Sequence, residues 1–559
     1  MKKFKCPIYL TILSSVFFFS QITPGFAQLT QGNQLNQLVQ QITRVGTPNR
    51  SEAEYRAASK AYQNILNQLD KLEPKELNFE EQIDLDLAVA HVKRQLFEID
   101  EIELYKLVPV NYYALGATNR LFVRPGAIGE SGVWAAVREL ERLPSVLENA
   151  KKNLTNPART WTENAIYQAY YAKLLLRDSV PNAITFSAAS KKELLAAAGP
   201  ALKAVEDYEE WLKNDLLPRS TRSPAWKPEE VNFYQFEHEM LYDYGVDEML
   251  RVAEEESKKT MADMKALAKR IHPSGDLKTV WQLMLEEAPP WEEVMPMAER
   301  FVEQTANWLA KEGSHLVTIP DFDYGVRITS PMSRRVLSFG GATYGPTVAG
   351  RLSGYYVLTP LEDILSEEEK ASRIRSYNPY WTHVISYHEW LGHTVQRAAA
   401  GTRPQRPMRK IFRSIYHSQA WSFYLERLLE DEGYFEDVFD HMVALKSRMG
   451  RLQMRMWRIQ RILTKLKMAK GEMTFDEAVQ EYIDKIGMEP TNSFIEVQRD
   501  CQSPSPPGRE IIGEMMIIKL REEYKKRMGE HYSMREFHDR FLSYGDLPFA
   551  VVRKLMLGE

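Results

Sequence analysis

His388, Glu389 and His393 fall within six residues, in the stretch Ser386-Tyr387-His388-Glu389-Trp390-Leu391-Gly392-His393-Thr394-Val395-Gln396. Two imidazoles can hold a zinc ion, and a carboxylate beside the first can take a proton from an attacking water. Histidines that share an ion from one helix usually stand at i and i+4, nearly stacked on one face. Here they stand at i and i+5, which on an ideal helix sets them roughly 140° apart at about 100° per residue. A one-residue π-bulge would bring both to one ion, and Gly392 is placed to permit it. The chemistry this predicts is metal-assisted hydrolysis with Glu389 as general base.

A catalytic zinc needs a third protein ligand from a neighbouring element. The segment Ser418 to Glu432 reads as a helix with a polar stripe of Gln419, Ser422, Glu426 and Glu430 opposite Trp421, Tyr424, Leu425 and Leu428. Gln419 and Glu426 are candidates on that stripe, and Glu510, further along the chain, is another carboxylate that could serve.

Helical periodicity runs from Leu35 to about Asp215, and again from Tyr234 through Lys311. His238 and Glu239 lie in the second run and read as helix positions outside the site. The polar loop Pro218 to Pro224 separates a helical lobe, 28–217, from a second, 218–559. In the second lobe, Leu316–Pro320, Tyr324–Ile328 and Gly354–Leu358 are β-like runs, with the glycine-rich Gly340–Pro346 as a connection. This predicts a small sheet at about 316–358, just ahead of the histidines. An edge strand there could hold an extended substrate by strand addition. Tyr355 and Tyr356 would line the cleft, and Arg499 could pair with a substrate carboxylate. Phe439 to Met468 reads as a long basic amphipathic helix.

The 559 residues are 44% hydrophobic and 26% charged with a net charge of −4, so composition gives no nucleic-acid footprint. Residues 1–27 read as a secretory signal: Lys2, Lys3 and Lys5, an apolar run from Ile8 to Phe19, and small residues Gly25 and Ala27 ahead of a cleavage site. Cys6 precedes the apolar run and does not look like a lipid-attachment site. Cleavage after Ala27 leaves Cys501 alone, which excludes a disulfide framework. The expected location is periplasmic or secreted, with no membrane attachment after cleavage.

Four ordered motifs resemble one family. His388-Glu389-Trp390-Leu391-Gly392-His393-Thr394-Val395-Gln396 is similar to H-E-A-x-P-G-H-x-x-Q. Gln419-Ala420-Trp421-Ser422-Phe423-Tyr424-Leu425-Glu426-Arg427-Leu428 resembles E-G-W-A-L-Y-x-E-R-L. The Gly513–Arg521 segment resembles I-G-x-x-x-I-x-x-L-R, and Arg535–Asp539 with Gly545–Pro548 resembles R-E-F-H-D and G-A-L-P. These are motifs of the bacterial "domain of unknown function 885" family. The resemblance implies a mainly α, two-lobed fold with a deep cleft, of the gluzincin zinc-peptidase type. It implies one zinc ion and a peptide or small amide as substrate. The His388–His393 spacing also resembles the H-E-L-L-G-H of dipeptidyl-peptidase III, a zinc enzyme. Two positions depart from the family pattern: Gln419 stands where it has the glutamate expected as third ligand, and Glu510 where it has a tyrosine. These departures motivate an alternative, a catalytically degenerate relative that keeps the fold to bind peptides.

Overall fold

The computed structural model describes residues 30–234, 244–337, 339–346, 350–401 and 406–558. The signal-type segment 1–27 and the pair His238 and Glu239 lie outside the described residues. The structure is 73% helical with one three-stranded sheet, so the mainly α expectation holds.

The first three helices, Gln31–Ile42, Glu52–Leu69 and Phe79–Leu96, begin where the sequence supplies caps. Ser51 with Glu54 and Asn78 with Glu81 each form a capping box that satisfies otherwise orphaned N–H groups. Their apolar faces join the larger of two cores. Residues 112–216 enclose a smaller core of their own, built on the helices Gly129–Asn153, Arg159–Lys173 and Ala188–Trp211. The sequence division at 217 therefore differs from the division between cores, because residues 35–108 pack with the C-terminal half. Asp84 illustrates this: its buried carboxylate is gripped by Arg406 and Arg409 from far along the chain.

The helix His441–Ala469 runs through the larger core and is buried on most of its surface. It packs along Val246–Ile271 on one side and Pro379–Tyr387 on another. A helix apolar all round would suit such a position, yet this one carries Arg455, Arg458, Arg461 and Lys465 inward. Buried charge is tolerated when it is paired, and Arg458, Arg461 and Lys465 form the floor of the cleft described below.

The sheet comprises β1 (Asp323–Ile328), β2 (Gly340–Pro346) and β3 (Leu352–Leu358) in the order β1-β3-β2. β3 is parallel to β1, pairing Asp323 with Ser353 through Ile328 with Leu358, and antiparallel to β2. Two corrections to the sequence reading follow. Residues 316–320 are not a strand; Thr318 instead donates to Asp539 from its backbone (2.8 Å) and hydroxyl (2.6 Å). The glycine-rich Gly340–Pro346, read as a connection, is an edge strand. Central β3 presses against the histidine segment at Gly354, where a Cβ would come within 2.7 Å of Thr394 Cβ. That close approach fixes the distance from sheet to site.

Candidate metal centre

The helix Pro379–Tyr387, capped by Asn378, passes without a break into a π-helical segment, His388–Val395, and then into Gln396–Ala400. The wider turn is the distortion that the i, i+5 spacing calls for. It sets the His388 and His393 rings 5.1 Å apart at 77°. Gly392 contributes differently from the expectation. Its requirement is close approach: a Cβ there would stand 2.4 Å from Ser422 Cβ and 2.8 Å from its Cα. The π-segment and the helix Ile415–Asp431 touch backbone to backbone at that point.

That contact delivers the partners of both histidines. The Nδ1–H of His388 donates to Glu426 Oε1 (2.7 Å), and His393 Nδ1 shares a hydrogen bond with Ser418 Oγ (3.1 Å). With both Nδ1 atoms engaged, the Nε2 atoms are the ones left for an ion, an arrangement typical of metal-ligating histidines. His388, Glu389 and His393 each bring a ligand-type atom within 4.8 Å of the others, and among the described residues no other group of three His, Cys, Asp or Glu does so. Burial, helped by Arg458, pushes the His388 imidazole well below its usual range, and burial does the same to His393, keeping the neutral form that binds metal. Burial raises the carboxyls of Glu389 and Glu426 to about 7, against the pull of Arg458 on each.

The other candidates are sorted by this geometry. Glu426 orients His388 from behind and is not placed as a ligand; its second oxygen is buried without a hydrogen bond. Glu510 lines the cleft and its charge reaches both histidines, but it is held by Arg461 (2.6 Å) and is not in the group of ligand atoms within 4.8 Å of one another. Burial works against its charge, but Arg461, Arg509 and Arg458 outweigh that and hold its carboxyl below the ordinary range. Gln419 lines the same cleft, half-buried, and its side chain makes no hydrogen bond to another described residue. Arg499 also lines the cleft but is tied to Glu496 (2.8 Å). Tyr355 and Tyr356 are not among the lining residues. Tyr356 is buried in the core, and Tyr355 lies under the Arg327 guanidinium at 3.5 Å, because β3 is the central strand and both of its faces are covered.

The cleft encloses about 1300 Å³ and has β2 along one wall. Eleven arginines and lysines line it against five carboxylates, although the whole chain carries a net −4. Sequence reasoning missed its cationic floor. Arg458, Arg461 and Lys465 recur at helical steps of three and four in the segment read only as basic and amphipathic, and that spacing was the available signal. Beneath the cleft, the helix Pro490–Cys501 ends in a buried thiol, which burial pushes up to about 12.

The chain belongs to the family described as bacterial protein of unknown function, DUF885, whose profile matches residues 41–556. Two solved structures share the fold. One is a protein of unknown function from Shewanella oneidensis named as a candidate lipoprotein, 20% identical, with a TM-score of 0.69 over 94% of this chain and 99% of that one. The other is a candidate lipoprotein from Colwellia psychrerythraea, 16% identical, with a TM-score of 0.72 over 95% and 99%. No curated protein is similar in sequence. Among the described residues, no helix is long and apolar enough to cross a membrane.

Proposed function

We propose that the protein is an exported zinc-dependent hydrolase of peptides or small amides, with a gluzincin-like site. The observation that carries the reading is the pair of engaged Nδ1 atoms, which turn two neutral imidazoles toward one point beside the Glu389 carboxylate. This donor set of nitrogen and carboxylate oxygen fits zinc. His388 and His393 would hold the ion, with Gln419 on the facing helix as an available neutral oxygen. Bound there, zinc would supply Lewis acidity, polarising a substrate carbonyl and lowering the pKa of water.

Glu389 then acts as the base. It takes one proton from the attacking water and returns it to the amine nitrogen as the C–N bond breaks, so the water oxygen ends on the acyl carbon. Glu426 holds His388 in the tautomer that leaves Nε2 open to a metal, and Ser418 would do the same for His393 by accepting from its Nδ1–H. β2 has no strand partner on its cleft side among the described residues, which suits an extended peptide. Export is supported by the signal-type N-terminus and by the names of the two similar structures.

The test is metal analysis of protein purified without chelator, with His388→Ala as control. One zinc per chain, lost in the control, is expected; much less than one in the native protein overturns the reading. Glu389→Gln should then keep zinc and lose hydrolysis of a peptide library. The catalytically degenerate reading draws on Gln419 and on Glu510 being locked by Arg461. Full zinc with no hydrolysis by the native chain would favour it.

A further inference from the structure

Four basic side chains project inward from the helix His441–Ala469, and three have a carboxylate or carbonyl partner for their charge, although the Arg461 Nε is itself without a hydrogen bond. Arg455 is paired with Glu514 and Glu256, each at 2.7 Å. Arg461 is paired with Glu496 (2.9 Å) and Glu510 (2.6 Å). Lys465 donates to the carbonyls of Ser503 (2.8 Å) and Ser505 (2.6 Å). Arg458 is the exception. It is 6% exposed and lies 4.4 Å from the Trp457 ring centroid, and its only hydrogen-bond contacts are the carbonyl and sulfur of Met454, at 3.5 and 3.4 Å. Glu426, Glu510 and Glu496 act on its charge from a distance, but none forms an ion pair with it among the described residues. Its Nε has no partner at all. A buried guanidinium without a paired anion is unfavourable, and Arg458 lines the cleft that holds His388 and Glu389.

The rim repeats the imbalance. Lys410 and Arg413 are exposed at the mouth, and Arg509 is half-buried deeper in. None of the three makes an ion pair or a side-chain hydrogen bond with another described residue.

We propose that the substrates are acidic peptides, one carboxylate of which pairs with Arg458 while others meet the cationic rim. A planar guanidinium accommodates a carboxylate in a two-bond fork, and the cleft-side edge of β2 selects an extended chain over a free inorganic anion. The word substrate rests on the hydrolase reading above; the binding assignment does not, and the test separates the two.

The experiment is calorimetric titration of the purified full chain with tetraglutamate and with tetraglutamine, both acetylated and amidated at their termini so that only the side chains differ in charge, at low and at physiological salt. Tetraglutamate should bind at least tenfold more tightly, and salt should erode that advantage. Arg458→Met should cost tetraglutamate at least tenfold in affinity and leave tetraglutamine unchanged, with Arg458→Lys between. Should Arg458→Met fail to fold, the double variant Lys410→Ser/Arg413→Ser, changed only at exposed positions, should still weaken tetraglutamate several-fold. Equal affinity for the two peptides overturns the proposal, as does tighter binding of pyrophosphate than of tetraglutamate. Loss of turnover in Arg458→Met with tetraglutamate affinity intact also overturns it, because Arg458 would then serve the transition state and not the bound peptide. If tetraglutamate binds but the zinc-loaded chain leaves all peptides intact, the hydrolase reading fails and the ligand assignment stands.

Discussion

His388 and Glu426, 38 residues apart in the chain, meet through a 2.7 Å hydrogen bond in a fully buried pocket. The bond fixes both the tautomer and the tilt of the imidazole. Outer partners of this kind commonly contribute 10–100-fold to metal affinity. Glu426→Ala is therefore expected to weaken zinc binding by about that factor, and Glu426→Gln, which keeps an acceptor, by less. Competition with a chelator measures both. Unchanged affinity in Glu426→Ala would remove Glu426 from this role.

Gln419→Glu should slow the loss of zinc during dialysis. It restores a carboxylate on the helix facing the histidines, and an anionic oxygen binds the cation more strongly than an amide oxygen. An unaltered rate of loss would mean that position 419 does not reach the ion.

Gly392→Ala should destabilise the chain by about 1–3 kcal/mol, the usual cost of forcing a methyl into a packed contact. The new Cβ would meet Ser422 at 2.4 Å. Adding Ser422→Gly removes the nearer of the two clashing atoms and should recover part of the loss in a denaturant titration. Strictly additive effects would show that the two positions do not press on each other.

Acid should unfold the protein through its buried histidines. Burial lowers His383 and His417 to about 3, and His91 and His538 to about 4. All four are neutral in the folded chain, whereas unfolded histidines titrate near 6.5. Below that value the unfolded chain binds protons that the folded chain refuses. Stability is therefore fully present above about pH 6.5 and falls as pH drops toward the folded values. Each imidazole contributes a slope of about 1.4 kcal/mol per pH unit in that window. His383 packs among Phe301, Tyr387, Tyr434, Phe435 and Phe439, so His383→Phe should shorten this slope by about one proton in melting curves taken against pH. An identical slope in the variant would rule out His383 as a contributor.

The sequence made part of this site legible. The i, i+5 spacing of His388 and His393 is a local property, and a helix can accommodate it in few ways, so the π-segment followed from counting residues. The helix carrying Gln419 and Glu426 was equally readable from its stripe. What counting could not supply was the side of the imidazole on which Glu426 lies, because that depends on how closely two helices approach. Gly392 and Ser422 set that distance, and they are 30 positions apart in the chain. β2 was missed for a related reason. Its glycines read as a loop, but they serve a strand whose neighbours crowd it, with Leu337 against Gly341 and Arg124 against Gly345. Arg458 was hidden because its significance lies in the partner it lacks, and partners are a property of the packed chain.

Cys501 gives the cleft floor its own clock. Its thiol is buried, its carbonyl is held by Trp226 Nε1 (2.9 Å), and almost none of it is thiolate at neutral pH. A thiol reagent can label it only in the moments when the end of the helix Pro490–Cys501 comes away, so the labelling rate counts those openings. The same helix carries Glu496, which anchors Arg461 and Arg499. Any compound that settles in the cleft and steadies this helix should slow the labelling, which turns one unremarkable cysteine into a means of finding ligands before any reaction is known.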